Sequence, residues 1–297
     1  MNNLQGFFLI LLSAASFGAM ALCAKIANAD GVDTASLLAL RFTIAAFVLG
    51  ISVQVRKSSW PAGQVLRACL LMGAVYATMS WSYFSALDYA SSSTVALVFY
   101  IYPILATGIA VCLGLDHFGR AEFIAVTGST VGLLVMIGAS LESTQAGFCL
   151  ALLSAMCYAG YIILGCRIND AANPIATACL IVGSAGVIFL LISTISGFHF
   201  PHSARGWTAV LFMASFGTAI AMAAFVAGLG RVGPTLAAVL STFEPLVTIV
   251  LGICFLKESL QSGSFAGGML ILCAAIGLTL VRMKRTARLK TRSFDSQ

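Results

Sequence analysis

The stretch Gly6–Ala14, GFFLILLSA, returns as Gly147–Ala155, GFCLALLSA, with seven of nine residues unchanged and an offset of 141 positions. Self-similarity at a fixed spacing marks a chain built from two copies of one unit. Each copy, residues 1–140 and 141–297, holds five apolar stretches long enough to cross a bilayer. Because five is odd, the second copy enters the membrane upside down relative to the first. Inverted repeats of hydrophobic helices are a recurring plan of secondary transporters, whose substrate site lies near the bilayer midplane where the halves meet. The repeat therefore predicts an all-α integral membrane protein with ten transmembrane helices arranged as two inverted five-helix repeats.

Composition sets the solvent. Hydrophobic residues make up 60% of the chain and charged ones 9%, where an ordinary soluble domain carries about 25% charged residues. A spanning helix needs about 20 mostly apolar residues. The uncharged runs that meet this length or come within one residue of it are Leu4–Ala24, Ala68–Leu87, Tyr89–Leu115, Phe123–Leu141, Ser143–Cys166, Gly206–Gly230 and Ser259–Val281. Three further spans complete the set. They are Thr34–Val55, broken only by Arg41; the run after Ala171 that ends near Gly197; and Val232–Leu256, broken only by Glu244. A large soluble helical protein would need far more polar surface than this chain carries.

Charge placement sets the orientation. With the N-terminus in the cytoplasm, the cytoplasmic segments hold Arg56, Lys57, Arg67, Arg120, Arg167, Arg231 and a basic tail from about residue 282 (RMKRTARLKTR). The opposite side holds Arg205, Lys257 and, at the outer end of the first span, Lys25. Basic residues concentrate in cytoplasmic loops, so both termini are expected there. The net charge of +6 is then mostly a topology signal, and the tail adds attraction to anionic headgroups, not to nucleic acid. Ala27-Asn28-Ala29 looks like a signal cleavage site, but no basic residue precedes the apolar run, and the run is longer than a signal core. Its mid-chain copy at Gly147 makes Gly6–Asn28 a retained first span.

Nine cysteines (23, 69, 112, 149, 157, 166, 179, 254 and 273) fall within or at the ends of apolar segments, with no C-x-x-C pair. They read as small packing residues, not as disulfides or zinc ligands. His117, His199 and His202 lie in loops, and the pair in FHFPH has no carboxylate beside it in the sequence. No metal site and no cofactor are expected.

The later part of each repeat carries a sharper match. Ala86–Leu115 reads ALDYASSSTVALVFYIYPILATGIAVCLGL and Gly228–Phe255 reads GLGRVGPTLAAVLSTFEPLVTIVLGICF. Pro103 aligns with Pro245, and thirteen residues later Asp116 aligns with Glu258, an offset of 142. Each proline sits mid-span, where it removes one backbone hydrogen bond and kinks helices four and nine. Within a membrane such a break is tolerated where neighbouring helices or a polar cavity satisfy the freed carbonyl. The paired kinks beside Tyr102 and Glu244 mark the expected cavity.

The five-plus-five repeat, Arg41-Phe42 of helix two, and the ALDYASSSTVALVFYIYP and FEP…KES stretches resemble the EamA-type branch of the drug/metabolite transporter superfamily, over about Gly6 to Val281. The resemblance implies a multi-pass, ten-helix carrier of the bacterial inner (plasma) membrane. Such carriers move small metabolites, often amino acids outward, by alternating access. In the first half Tyr102-Pro103 stands where the second half has Glu244-Pro245, so any intramembrane carboxylate comes from one half alone.

Glu244 has twelve uncharged residues on either side, which places it near mid-membrane. A charged side chain there costs about 2.5–3.5 kcal/mol on insertion scales, so it faces a cavity or is protonated. Three roles are open to it: contact with a substrate amine, carriage of a proton, or a protonated cap on the backbone loosened at Pro245. Arg41, about two turns inside helix two, either attracts a substrate carboxylate or braces the bundle, its flexible stem reaching toward the interface. On helix three, Tyr76, Ser80 and Tyr83 follow i, i+4, i+7 spacing and line one stripe, with Trp81 adjacent. Tyr100 and Tyr102 on helix four and Tyr158 with Tyr161 on helix six join them, and Phe17 is the repeat-equivalent of Tyr158. Polar tips at this depth need partners, so the set lines either a substrate cavity or the core. Trp60 and Trp207, at span ends, read as interface anchors.

Gly128-x-x-x-Gly132, Gly263-x-x-x-Gly267 and Ala14-x-x-x-Gly18 permit close helix approach. Internal packing accounts for them and a monomer suffices, although a homodimer is compatible. The leading function is alternating-access transport of a small-molecule substrate through the lipid bilayer. An uncoupled channel-like facilitator shares the fold and lacks proton coupling. A membrane-embedded enzyme would need a nucleophile with its base at membrane depth, and no mid-span His, Asp or Gly-x-Ser-x-Gly elbow supplies one.

Overall fold

The computed structural model describes residues 2–86, 88–90, 95, 98–116, 119–137, 144–166, 173–256, 266–274, 276–278 and 280–281. His117, Arg167, Lys257, Glu258, Gly263 and the basic tail from 282 lie outside the described residues. The described helices are α1 (Leu4–Ala29), α2 (Thr34–Val55), α3 (Gly63–Ala86), α4 (Tyr102–Cys112), α5 (Arg120–Ile137), α6 (Gln145–Cys166), α7 (Pro174–Ser196), α8 (Ala204–Val232), α9 (Pro234–Ser241), α10 (Glu244–Leu256) and α11 (Ala266–Leu278). Six of them, α1, α2, α3, α6, α7 and α8, are each long and apolar enough to cross a bilayer alone. The ninth span is divided at Thr242–Phe243 into α9 and α10. Together these pieces occupy the ten positions read from the sequence.

Equivalent residues start equivalent helices. Asp33 caps α2 by accepting from Ala35 N (3.0 Å) and Ser36 N (3.4 Å). Asn173 caps α7 by accepting from Ile175 N (3.0 Å) and Ala176 N (3.3 Å). Short polar side chains of this kind satisfy amide groups left orphaned at a helix start.

The inverted repeat is visible in the pairing of helices. α2 packs most extensively on its own equivalent, α7; α3 packs on α6 just as α8 packs on α1; and α4 meets α9. Every one of these pairs runs antiparallel. Along α1 and α8, Gly6 faces Gly228 and Val232, while Gly217 faces Met20. Along α3 and α6, Gly147 faces Tyr89, the Ser154 hydroxyl donates to Met79 O at 3.0 Å, and Gly165 faces Met72. Gly186 lies against Phe42 and Cys179 Sγ against Ala46 O across α2 and α7. Gly128 faces Ala274 and Gly132 faces Gly267 and Ile271, which seats α5 on α11. Small residues thus bring helices of this chain together, as close approach between apolar helices in lipid requires.

Two sequence expectations change. Pro103 and Pro245 do not kink continuous helices; each occupies the first turn of a new one, after a turn at Tyr100–Ile101 or Thr242–Phe243. Proline suits that place because its missing N–H is unneeded in the first helical turn and its φ is already helical. Nor are all the cysteines packing residues. Cys23, Cys69 and Cys179 are buried, but Cys112, Cys149, Cys254 and Cys273 are exposed on the outside of the bundle. They share that surface with Phe8, Phe47, Ile124, Ile195 and Phe255, whose apolar bulk suits acyl chains.

Candidate functional site

The middle of the bundle is an aromatic column. Phe189 of α7 stacks on Phe42 of α2 (5.6 Å, 10°), and Phe42 meets Tyr76 of α3 edge-on at 5.7 Å. Tyr76 touches Tyr161 of α6 at 5.2 Å, Tyr161 stacks on Tyr158 at 5.9 Å, and Tyr158 packs on Tyr102 of α4 at 4.6 Å. Phe99 joins Tyr83, Tyr100, Tyr102 and Tyr158, and Phe225 of α8 closes the side at Tyr161. Six of the seven tyrosines of the chain are in this cluster; Tyr89 is exposed outside it. Edge-on and tilted contacts of this kind add to the packing of the rings.

Arg41 enters the column from α2 and is 2% exposed. Its guanidinium carbon sits 4.4 Å from the centre of the Phe42 ring, a cation–π distance. The Tyr76 side chain faces it, and Nε has no hydrogen-bond partner. The expectation that the long stem reaches the interface is therefore corrected: the head is buried among rings, because α7 packs along α2 and Tyr76 of α3 reaches Phe42 at this level.

Glu244 is the first residue of α10, opposite Tyr102, which opens α4. The break before Pro245 turns the carboxylate inward at the positive end of a half-helix, a setting that favours negative charge. It lies within electrostatic reach of Arg41 and of the hydroxyl groups of Tyr76, Tyr83, Tyr100, Tyr102 and Tyr158. Unlike Arg41, it is only partly buried. Among the described residues no ion pair joins Glu244 to Arg41, and the carboxylate accepts no hydrogen bond. The Tyr102 hydroxyl is enclosed beside Ser241 without a hydrogen bond of normal geometry. Arg41 and Glu244 thus lie in one aromatic interior without an ion pair between them among the described residues.

Not every residue singled out in the sequence converges here. Tyr76, Tyr83, Tyr100, Tyr102, Tyr158, Arg41 and Glu244 do, and Ser80 is buried on the same helix face as Tyr76. Trp81 does not: it is 41% exposed, and its described ring contact is with Phe189 at 6.3 Å, at the outer edge of the column. Ser241, Phe99, Phe189 and Phe225 were missed. Ser241 lies one turn before Glu244, and that spacing was the available signal; the phenylalanines carry no mark in an apolar chain.

A second polar cluster joins the halves where the α1–α2 turn meets the α7–α8 loop. Ser203 N donates to Asp30 Oδ2 (2.9 Å), His199 N donates to Ser36 Oγ (2.9 Å), and His199 Nδ1 lies 3.2 Å from Asp33 Oδ1. The carboxylates absent beside the histidines in sequence are therefore present in space. The Ser203 backbone N–H holds the Asp30 carboxyl below its ordinary range. Partial burial pushes the Asp33 carboxyl up, but hydrogen bonds from Ser36 and Ala35 outweigh it and leave it lowered. A lowered carboxyl contributes stability above its unfolded pKa, so this clamp is intact above about pH 4 and is lost as pH falls through the folded values. Removing the cap with Asp33→Ala should cost about 1 kcal/mol in thermal unfolding, while Asp33→Asn, which can still cap, should cost much less.

Comparison with known proteins bears on what this arrangement serves. A model of the EamA-like transporter family matches residues 4–138 and 145–280, one match per repeat. The uncharacterized transporter YcbK of Bacillus subtilis (strain 168) is 23% identical over 271 residues, covering 86% of each chain. The uncharacterized inner membrane transporter YedA of Escherichia coli (strain K12) is 26% identical over 164 residues, covering 54% of this chain and 53% of its own. One crystal structure superposes with a TM-score of 0.79 at 22% identity, covering 94% of this chain and 98% of the other. At that identity the superposition speaks for the fold.

Proposed function

The chain belongs to the EamA-like transporter family, and from that premise we propose that it carries small zwitterionic metabolites, amino acids or close relatives, outward across a bacterial inner membrane by alternating access. It is a multi-pass membrane transporter; the cargo, direction and membrane are the proposal. The observation that carries it is the pair of buried Arg41 and partly buried Glu244, which share the aromatic column at the junction of the repeats with no ion pair between them among the described residues. An uncompensated guanidinium in a low-dielectric interior is costly, by several kcal/mol. A ligand carboxylate at Arg41 and a ligand amine at Glu244 compensate both charges at once, and the tyrosine walls supply hydroxyl groups and apolar faces.

Purified protein in liposomes tests this, with and without a pH gradient. Free amino acids should be transported, whereas the matching amines and keto acids, each lacking one charge, should be transported at least tenfold less well. Equal transport of all three classes would sink the zwitterion reading. Accumulation driven by the pH gradient separates a coupled carrier from a facilitator.

Both termini are proposed to be cytoplasmic, in keeping with the placement of basic residues. A reporter fused after Gln297 should read as cytoplasmic and one inserted between Leu141 and Gln145 as external. The same side for both would overturn this topology.

A further inference from the structure

Three departures from regular helix meet on one side of the bundle. α1 is loosened at Ala19, between Gly18 and Met20, where Ala19 N reaches Ala15 O at 3.3 Å and Cys23 N reaches Ala19 O only at 3.5 Å. α8 contains a π-helical segment, Ser215–Ile220, whose Gly217 lies against Met20. α10 begins at Glu244, and its first turn is pressed onto the α1 break so closely that a Cβ on Gly18 would stand 2.7 Å from Glu244 O. The first two have no counterpart of equal kind in the other repeat; the third is matched by the start of α4 at Tyr102. The position equivalent to Ala19 is Gly160, inside the unbroken α6, and the segment equivalent to the π turn falls inside the unbroken α3.

Thr248 links these features. Its hydroxyl lies 3.0 Å from Gly18 O and 3.2 Å from Glu244 O. A hydroxyl has one proton to donate, so it serves one acceptor fully at a time. One acceptor is the last carbonyl before the α1 break; the other belongs to the residue whose carboxylate faces Arg41. The repeat-equivalent of Thr248 is Ala106 and that of Glu244 is Tyr102, so this connection exists in one half of the molecule alone. Beyond the break, α1 runs on to Asp30 of the clamp, and α8 begins beside Ser203, the clamp's other partner.

We propose that Thr248 is a positioning residue: its hydroxyl passes between Gly18 O and Glu244 O as the state of Glu244 changes, and so couples the central site to the hinge of α1. Neutralising or engaging the carboxylate shifts the first turn of α10, the Thr248 hydroxyl rotates to donate to the carbonyl within its own helix, and the part of α1 beyond Ala19 is released to swing at Gly18–Ala19. The inference requires Glu244 to change state and does not depend on which substrate it meets.

Hydrogen–deuterium exchange of the full-length protein in lipid nanodiscs tests it by reading the amides of Gly18–Cys23. Glu244→Gln should change their exchange by about fivefold, which corresponds to about 1 kcal/mol, the net worth of one hydrogen bond. Thr248→Val keeps the side-chain shape and removes the proton; in that background the same Glu244→Gln change should leave these amides unaltered, and Thr248→Ser should restore the response. Thr248→Ala carries the same test if the valine variant does not accumulate. A response of equal size without the hydroxyl overturns the proposal, as does no response with Thr248 intact. Transport is not read here, so failure of the zwitterion reading is scored separately.

Discussion

Glu244→Gln is expected to weaken binding of amino-bearing substrates by roughly ten- to a hundredfold, the value of a charged hydrogen bond of about 1.5–3 kcal/mol. The substitution keeps size and hydrogen-bonding capacity and removes both charge and titration. Binding measured at equilibrium, with no gradient, isolates the contact role. If the residue instead carries a coupling proton, affinity is retained, accumulation by a pH gradient vanishes, and exchange at equal concentrations survives. If it caps the backbone near Pro245, every assay changes mildly, because an amide still donates to a carbonyl. The zwitterion reading takes the contact role, in keeping with a Glu244 side chain that makes no described hydrogen bond to the backbone around the break. Gradient-driven transport that persists at unchanged affinity would remove Glu244 from both working roles.

Gly73→Leu should prevent accumulation of folded protein. α3 crosses α7 at this residue, and the space a side chain would need is filled by Ser184 Oγ and, 2.5 Å away, by Ile181 O. A hydroxyl can rotate aside, but a helix carbonyl moves only with its helix, so the crossing must open. Overpacking of a closed interface costs typically 1–3 kcal/mol, and a leucine against backbone stands at or beyond the upper end. Gly160→Ala is the matched control, since a Cβ there meets nothing within 4 Å. It should be neutral or stabilising by up to about 1 kcal/mol through helix propensity. Monodispersity and thermal unfolding in detergent read both. A well-folded Gly73→Leu protein would mean that the α3–α7 crossing is looser than described.

The architecture was legible because membrane helices declare themselves by length and polarity, and because the GFFLILLSA repeat sets the symmetry. What the sequence withheld was the course of the backbone inside spans. Nothing in Ser215–Ile220 (SFGTAI) distinguishes a π segment from ordinary helix, and Gly18-Ala19 looks no different from Ala159-Gly160, which stays helical. These choices are made by neighbours: Gly18 yields to α10, whereas nothing crowds Gly160. The site was legible where residues were anomalous for a membrane, as with Arg41 and Glu244. Trp81 misled because adjacency along a helix is not adjacency in space; one residue from Ser80 is a turn of about 100°. The Asp30–Ser203 clamp was illegible for a different reason. Asp30 and Ser203 are 173 positions apart, and their ordinary polar identities carry no hint of each other.

The antiparallel pairing of α1 with α8, α2 with α7, α3 with α6 and α5 with α11 has a consequence for how the molecule is made. When a ribosome has delivered the first five spans, each of those helices is still without the surface it will finally rest on. Gly6, Gly73 and Gly132 then face acyl chains, and the buried guanidinium of Arg41 has neither Phe189 nor α7 to shelter it. Insertion and assembly are therefore separate in time, and the early helices must persist as independent spans until the later ones arrive. The nascent amino-terminal half is a set of unmated strips awaiting its mirror.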